Sequence, residues 1–131
     1  MKTGLEGELR VIDFLKKEIL ILEDVMISEV DKFITHSSLK DDSLGYDIVI
    51  HSSDGSVRYI EVKTTKSSAL TTFYVTPNEL KFSEDNAESY YLYRLYNFQY
   101  SSKEIDYYVI KGNLKNQLEL FPIQYEAYPN T

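Results

Sequence analysis

The sequence predicts an α/β (α+β) fold with the element order α-β-β-β-α-β-β. Three observations predict it. An apolar stripe with helical spacing opens the chain, two β-branched runs at residues 45–50 and 58–65 flank a polar turn, and a helix-start signal at residues 76–79 precedes two later strand-like runs. At 131 residues and without a Pro/Gly/Ser-rich linker, residues 1–131 are expected to form one domain.

The first helix is predicted to begin near Gly4, because Thr3-Gly4-Leu5-Glu6 has the pattern of a capping box. Glu8 falls inside the apolar stripe, so we expect this acid to face the sheet; the alternative is a carboxylate that only complements the helix dipole. The apolar stripe consists of Leu5, Leu9, Ile12, Leu15, Ile19 and Leu22. The side predicted to be solvated carries Glu6, Arg10, Asp13 and Lys17.

The two β-branched runs are predicted to form a hairpin, and its register decides which acids meet. A two-residue Asp54-Gly55 loop would place Asp47 opposite Val62. A three-residue loop of residues 53–55, with Gly55 at the position that needs a positive φ, places Asp47 opposite Glu61. We favour the second register, because it also gathers a clean apolar set on the other face. That set is Ile48, Ile50, Ile60 and Val62.

In the favoured register Asp47, Glu61 and Lys63 share one face, because side chains alternate along a strand. A charge buried in a central strand costs several kcal/mol unless it is paired or binds a metal. Two carboxylates beside an ammonium suit phosphodiester hydrolysis, in which the acids hold Mg²⁺ or Mn²⁺ and the lysine acts on water or phosphate. The alternative is a structural ion network on a partly exposed sheet.

The remaining elements follow in chain order. We expect a strand with mixed alternation at residues 24–35, a short strand at residues 73–75, and a helix capped by Thr76, with Pro77 in its first turn, ending near Asn86. Aromatic-rich strands are predicted at residues 90–98 and 106–111. Residues 113–131 are expected to form a C-terminal strand or arm, with the strand at residues 118–128.

Composition bears on partners and compartment. Zero cysteines exclude disulfides and thiolate metal sites, and no apolar run is long enough to span a membrane, so we expect a soluble cytoplasmic protein. The net charge of −7 opposes autonomous DNA binding, because phosphate contacts dominate affinity. Lys66, Lys81 and Arg94 are the candidate phosphate contacts beside Lys63. The twelve tyrosines fit half-buried strands better than a base-stacking surface.

Several of these motifs together resemble the PD-(D/E)XK nuclease superfamily and, within it, the NO VEIN C-terminal domain family of unknown function. The resemblance covers about residues 4–112 and implies a restriction-endonuclease-like core, in which two helices flank a central mixed sheet. It also implies a metal-binding role for Glu8, Asp47 and Glu61 and a catalytic role for Asp47, Glu61 and Lys63. The segments that carry it are Gly7-Glu8, Gly45-Tyr46-Asp47-Ile48, residues 59–65, Asn78-Glu79-Leu80 and residues 90–96.

The expected function is therefore that of a Mg²⁺- or Mn²⁺-dependent nuclease acting on DNA, within a restriction, defence or DNA-processing system. Weak intrinsic DNA affinity implies targeting by a fused or separate helicase, ATPase or targeting subunit. Two alternatives stay open: a nuclease-like domain that binds nucleic acid without cleaving it, and a protein-interaction module.

Overall fold

The computed structural model describes residues 2–130, which form three α-helices and one five-stranded sheet. Two 3-10 helices, Ile27–Lys32 and Ser37–Leu39, lie on either side of the first strand. In chain order the main elements are α1 (Lys2–Leu22), β1 (Ile34–His36), β2 (Ile48–His51), β3 (Val57–Thr64), α2 (Pro77–Asp85), β4 (Tyr90–Tyr96), β5 (Asp106–Lys111) and α3 (Leu114–Gln117). The predicted α+β class is confirmed.

The sheet is mixed, and its strands lie in the order β1-β2-β3-β4-β5. Neighbouring strands are antiparallel except for β3 and β4, which run parallel because α2 and its flanking segments carry the chain back across the sheet. β3 therefore has a neighbour on each edge. None of the described helices is long and apolar enough to cross a membrane.

The β2–β3 hairpin has the register that its turn residues predict. Ile48 pairs with Ile60, and the Ser52 amide donates to the Ser56 carbonyl oxygen at 2.9 Å. Gly55 occupies the third loop position with φ +90°, a conformation that favours glycine. Extended by one residue, this register places Asp47 opposite Glu61, as predicted.

Helix α1 covers one face of the sheet and forms the larger core with it. Val11, Leu15 and Ile19 are buried there, together with the four apolar hairpin residues predicted for this face. The predicted stripe is only partly right, since Leu5, Leu9 and Leu22 are 41%, 38% and 67% exposed. The buried edge of the helix is rotated toward Val11, a position that the predicted stripe omitted.

Two further expectations for α1 are wrong. The helix already includes Lys2, so Thr3 is not its cap; its hydroxyl instead lies 2.6 Å from the Tyr100 hydroxyl. Arg10 is not on a solvated face, because its guanidinium donates to the Ser102 and Tyr100 carbonyl oxygens at 3.2 and 3.0 Å. The β4–β5 connection packs over this side of the helix, and the sequence around α1 contains no sign of it.

Gly7 allows α1 to approach β3 closely. A Cβ atom at this position would lie 1.9 Å from Thr64 Oγ1, far inside van der Waals contact. A larger residue would require the Thr64 side chain or the helix to shift. The contact fixes the position of α1 along β3. It therefore also fixes the backbone position of Glu8, the residue that follows Gly7.

The opposite face of the sheet is covered by α2 and α3 around a smaller core of Tyr90, Leu92 and Leu114. Gly45 (φ +91°) brings the loop before β2 against α2, where an added Cβ would lie 2.8 Å from Phe82 Cβ. Glu61 and Lys63 project from β3 on this face, next to the first turn of α2.

Three predicted strands differ from the structure. Of the predicted strand at residues 24–35, only Ile34 and Thr35 lie in β1, whereas Ile27–Lys32 is a 3-10 helix in which Lys32 pairs with Glu29. Residues 73–75 form no strand, and Phe73 and Val75 instead pack against the smaller core. Residues 118–130 have no regular structure, and their large side chains do not alternate between core and solvent, with Phe121 and Tyr125 76% and 79% exposed. The short helix α3 was not predicted.

Candidate active site

Asp47 and Glu61 lie side by side at the end of the β2–β3 ladder, and both carboxyls are largely shielded from solvent. The Val62 amide donates to Asp47 Oδ2 at 2.8 Å, and the Asp47 amide donates to the Ile60 carbonyl oxygen at 2.8 Å. The Asp47 side chain thus continues the ladder beyond the first residue of β2. This fixes its carboxylate next to the Glu61 side chain.

The pair holds protons more tightly than ordinary carboxyl groups. Burial, reinforced by the negative charge of Glu8, raises the pKa of Asp47. Burial, with the charges of Asp47 and Glu79, raises the pKa of Glu61 well above its usual range, although the Lys63 ammonium acts in the opposite direction.

Lys63 lies between Glu61 of β3 and Glu79 of α2. Its Nζ is 3.8 Å from Glu61 Oε2, and 3.0 and 3.1 Å from the two carboxylate oxygens of Glu79. All three side chains are mostly buried. The ammonium is therefore held between two carboxylates from different elements.

Glu79 lies next to Lys63, although the sequence analysis used it only in the helix start at residues 76–79 and in the Asn78-Glu79-Leu80 segment of the resemblance. The cap is real: Glu79 Oε1 accepts from the Thr76 amide at 3.0 Å, and the Thr76 hydroxyl accepts from the Glu79 amide at 3.1 Å. The same carboxylate also binds Lys63. The predicted start of α2 gives Glu79 its place in the first turn of that helix. The parallel β3–β4 connection then brings this turn beside the sheet.

Glu8 lies on α1 and is engaged by the segment that follows β1. Its Oε1 is 2.6 Å from His36 Nε2 and accepts from Ser38 Oγ at 2.6 Å. The side chain is 16% exposed, so Glu8 does not face bulk solvent. Its charge reaches Asp47, whose pKa it raises. The sequence pattern indicates no role for His36, and His51 is exposed near the turn.

The donors around Asp47 and Glu61 suit a hard divalent cation. Mg²⁺ is often bound by one or two carboxylates, with water and substrate phosphate completing its shell. Lys63 is the neighbouring cation of the buried pair Asp47 and Glu61, and it also pairs with Glu79. One ammonium does not balance three ionised carboxylates, and a bound cation would offset the difference. Across residues 2–130, however, no group of three His, Asp or Glu side chains is already arranged to hold a metal ion. The residues fit a two-carboxylate site with Glu8 adjacent.

Tyr90 forms part of the apolar surroundings of this site. The side chain is fully buried, and its hydroxyl has no hydrogen-bond partner among residues 2–130. Burial and the nearby charges of Glu61 and Glu79 raise its pKa, which keeps the phenol neutral.

The candidate phosphate contacts lie in three different settings. Lys66 lines an open cavity of about 480 Å³ and has its ammonium over the Tyr100 ring. Lys81 is exposed on α2 and pairs with Asp85 at 3.0 Å. Arg94 is 2% exposed and donates to the Thr71 carbonyl oxygen at 3.1 Å. Arg94 thus holds the β3–α2 connection in the structure, whereas Lys66 and Lys81 remain accessible.

No curated protein and no solved structure matches this chain. The family model described as "Protein NO VEIN, C-terminal" matches residues 17–110, more than half of the sequence. The matched region contains Asp47, Glu61, Lys63 and Glu79 and begins after Glu8. The chain therefore belongs to the NO VEIN C-terminal family.

Proposed function

We propose that this domain hydrolyses phosphodiester bonds in DNA, as a metal-dependent nuclease with a restriction-endonuclease-like core of the PD-(D/E)XK superfamily. The observation that carries the proposal is the buried Asp47–Glu61 carboxyl pair with Lys63 next to it. A stable fold gains little from burying two acids that repel each other, whereas a cation site requires them.

In this proposal Asp47 and Glu61 hold Mg²⁺ or Mn²⁺, with Glu8 contributing from α1. When bound, the cation supplies a Lewis acid that lowers the pKa of a coordinated water and neutralises charge on the phosphate. To hold the cation, the Asp47–Glu61 pair would have to give up its tightly held proton. Raised carboxyl pKa values therefore make cation affinity increase with pH.

Lys63 is proposed to act on the phosphate and the attacking water rather than on the metal. An ammonium is a hydrogen-bond donor without a free lone pair, so it is suited to stabilise negative charge on a phosphate oxygen. Glu79 keeps this ammonium at the site by accepting from it with both oxygens. Glu79 thus serves as a positioning residue for Lys63.

The net charge of −7 supports weak intrinsic DNA affinity. We propose that a fused or separate helicase, ATPase or targeting subunit delivers the substrate, with Lys66 and Lys81 as accessible phosphate contacts. Cleavage by this domain alone is then expected to be slow and steeply suppressed by salt.

The test is a cleavage assay at low salt with Mg²⁺ or Mn²⁺ on single-stranded, duplex and branched DNA and on RNA, paired with calorimetric titration of the metal. Lys63→Ala should abolish cleavage and leave metal binding largely intact, whereas Glu61→Ala should lose both. Lys32→Ala, which removes a surface lysine paired with Glu29, is the matched control and should cleave like the wild type. A wild-type domain that binds metal yet cuts none of these substrates would instead favour the non-cleaving module.

A further inference from the structure

The carboxylate of Glu8 is held through one of its two oxygens. Oε1 accepts from Ser38 Oγ and lies 2.6 Å from His36 Nε2. Because an ionised carboxylate only accepts hydrogen bonds, His36 must carry a proton on Nε2 to bind it. Within residues 2–130, no hydrogen bond is made to Oε2. The described residues therefore bind the Glu8 carboxylate through Oε1 alone.

The segment that binds Glu8 also binds Asp47. Ser38 donates its hydroxyl to Glu8 and its backbone amide to the Asp47 carbonyl oxygen, at 3.1 Å. His36 is the last residue of β1 and pairs with Ile48, the residue next to Asp47. Residues 36–38 thus link Glu8 on α1 to Asp47, the residue before β2.

The backbone of Glu8 has little freedom of its own. The contact between Gly7 and Thr64 fixes α1 against β3, so only side-chain rotation can move the carboxylate. Two hydrogen bonds of 2.6 Å to one oxygen oppose that rotation. The negative charge of Glu8 is consequently kept within electrostatic reach of Asp47, whose pKa it raises.

We infer that His36 and Ser38 are positioning residues that hold Glu8 beside Asp47, with Oε2 available to the cation or to a water bound to it. The inference rests on the proposed function, since it concerns the same cation site. Hydrogen-bonded partners of ligating carboxylates orient the ligand, and their removal typically weakens metal affinity about 10- to 100-fold.

The experiment measures Mn²⁺ affinity by isothermal titration calorimetry at one fixed pH, with the melting temperature of each metal-free variant as a check on folding. His36→Ala should weaken Mn²⁺ binding about tenfold or more. His36→Gln retains a side-chain N–H donor of similar reach and should recover most of the affinity. His51→Ala removes the exposed histidine and should bind like the wild type.

A second pair of variants covers the case in which His36→Ala does not fold. Ser38→Ala removes a single hydroxyl and should weaken Mn²⁺ binding by a smaller factor in the same direction. Ser56→Ala is its control, because among residues 2–130 the Ser56 hydroxyl bonds only to the exposed Asp54.

The outcomes separate this inference from the proposed function. Wild-type affinity in the folded variants, or tighter binding in either, would overturn the positioning role of His36 and Ser38 while the cation site stands. A wild-type protein that binds no Mn²⁺ would overturn the cation site and this inference together.

Discussion

Lys63 lies closer to Glu79 on α2 than to Glu61 on its own strand: its Nζ is 3.0 Å from Glu79 Oε1 and 3.8 Å from Glu61 Oε2. The lysine is thus shared between the sheet and the helix. The Glu79 charge acts on Glu61 as well, because it adds to the repulsion that raises the Glu61 pKa.

Glu79→Gln should lower the pKa of Glu61 toward its ordinary value. The substitution removes a neighbouring negative charge and a competing acceptor of the Lys63 ammonium, and both effects favour the ionised form of Glu61. The measurement is a carboxyl ¹³C NMR titration of the metal-free protein. Glu84→Gln, on the exposed side of α2, is the matched control and should leave the Glu61 titration unchanged. An unaltered Glu61 curve in Glu79→Gln would contradict the coupling.

The metal-free protein should lose stability as the pH rises from 5 to 8. The pKa of Asp47 is raised to about 6, so the folded state holds a proton that the unfolded state has already released above pH 4. Since the folded state then binds more protons, the free energy of unfolding falls with increasing pH until the folded-state pKa has been passed. Denaturant unfolding at several pH values measures this slope.

Asp47→Asn should reduce the slope, although the raised pKa of Glu61 keeps the part of it that Glu61 contributes, and should stabilise the metal-free protein at pH 8 by about 1–3 kcal/mol, because the amide cannot ionise. Asp54→Asn is the matched control: Asp54 is exposed, and its pKa is lowered by Ser56, so it is already ionised throughout this range. The same variant should remove most of the rise in melting temperature that Mg²⁺ or Mn²⁺ produces by binding the folded state. Equal metal-dependent shifts in Asp47→Asn and the wild type would argue against a site there.

Gly7→Ala should destabilise the protein by about 1–3 kcal/mol, although alanine normally stabilises a helix interior relative to glycine by about 1 kcal/mol. The reason is steric, since the new Cβ would lie 1.9 Å from Thr64 Oγ1. Chemical denaturation of the single variants and of the double variant Gly7→Ala/Thr64→Ala measures the effect. The double variant should recover part of the loss. A stabilised Gly7→Ala protein would show that α1 does not depend on this close contact.

Local patterns in the sequence determined the hairpin and the start of α2. The loop of residues 53–55 has glycine where a positive φ is required, and side chains alternate strictly along strands, so the pairing of Asp47 with Glu61 follows from adjacent residues. The Thr76–Glu79 capping box is likewise complete within four residues. Such features depend on sterics and hydrogen bonds between residues that are close together in the chain, so the local sequence is sufficient to predict them.

Contacts between distant segments were decided only by the tertiary structure. The pairing of Lys63 with Glu79 requires the parallel β3–β4 connection, and the bond from His36 to Glu8 spans 28 residues. Arg94 holds the Thr71 carbonyl from the neighbouring strand. Nothing in the spacing of these residues indicates which partner each will meet. Hydrophobic burial drives folding but is non-directional, so it does not specify which polar side chains meet. The close packing of α1 and α2 on the sheet determines these partners.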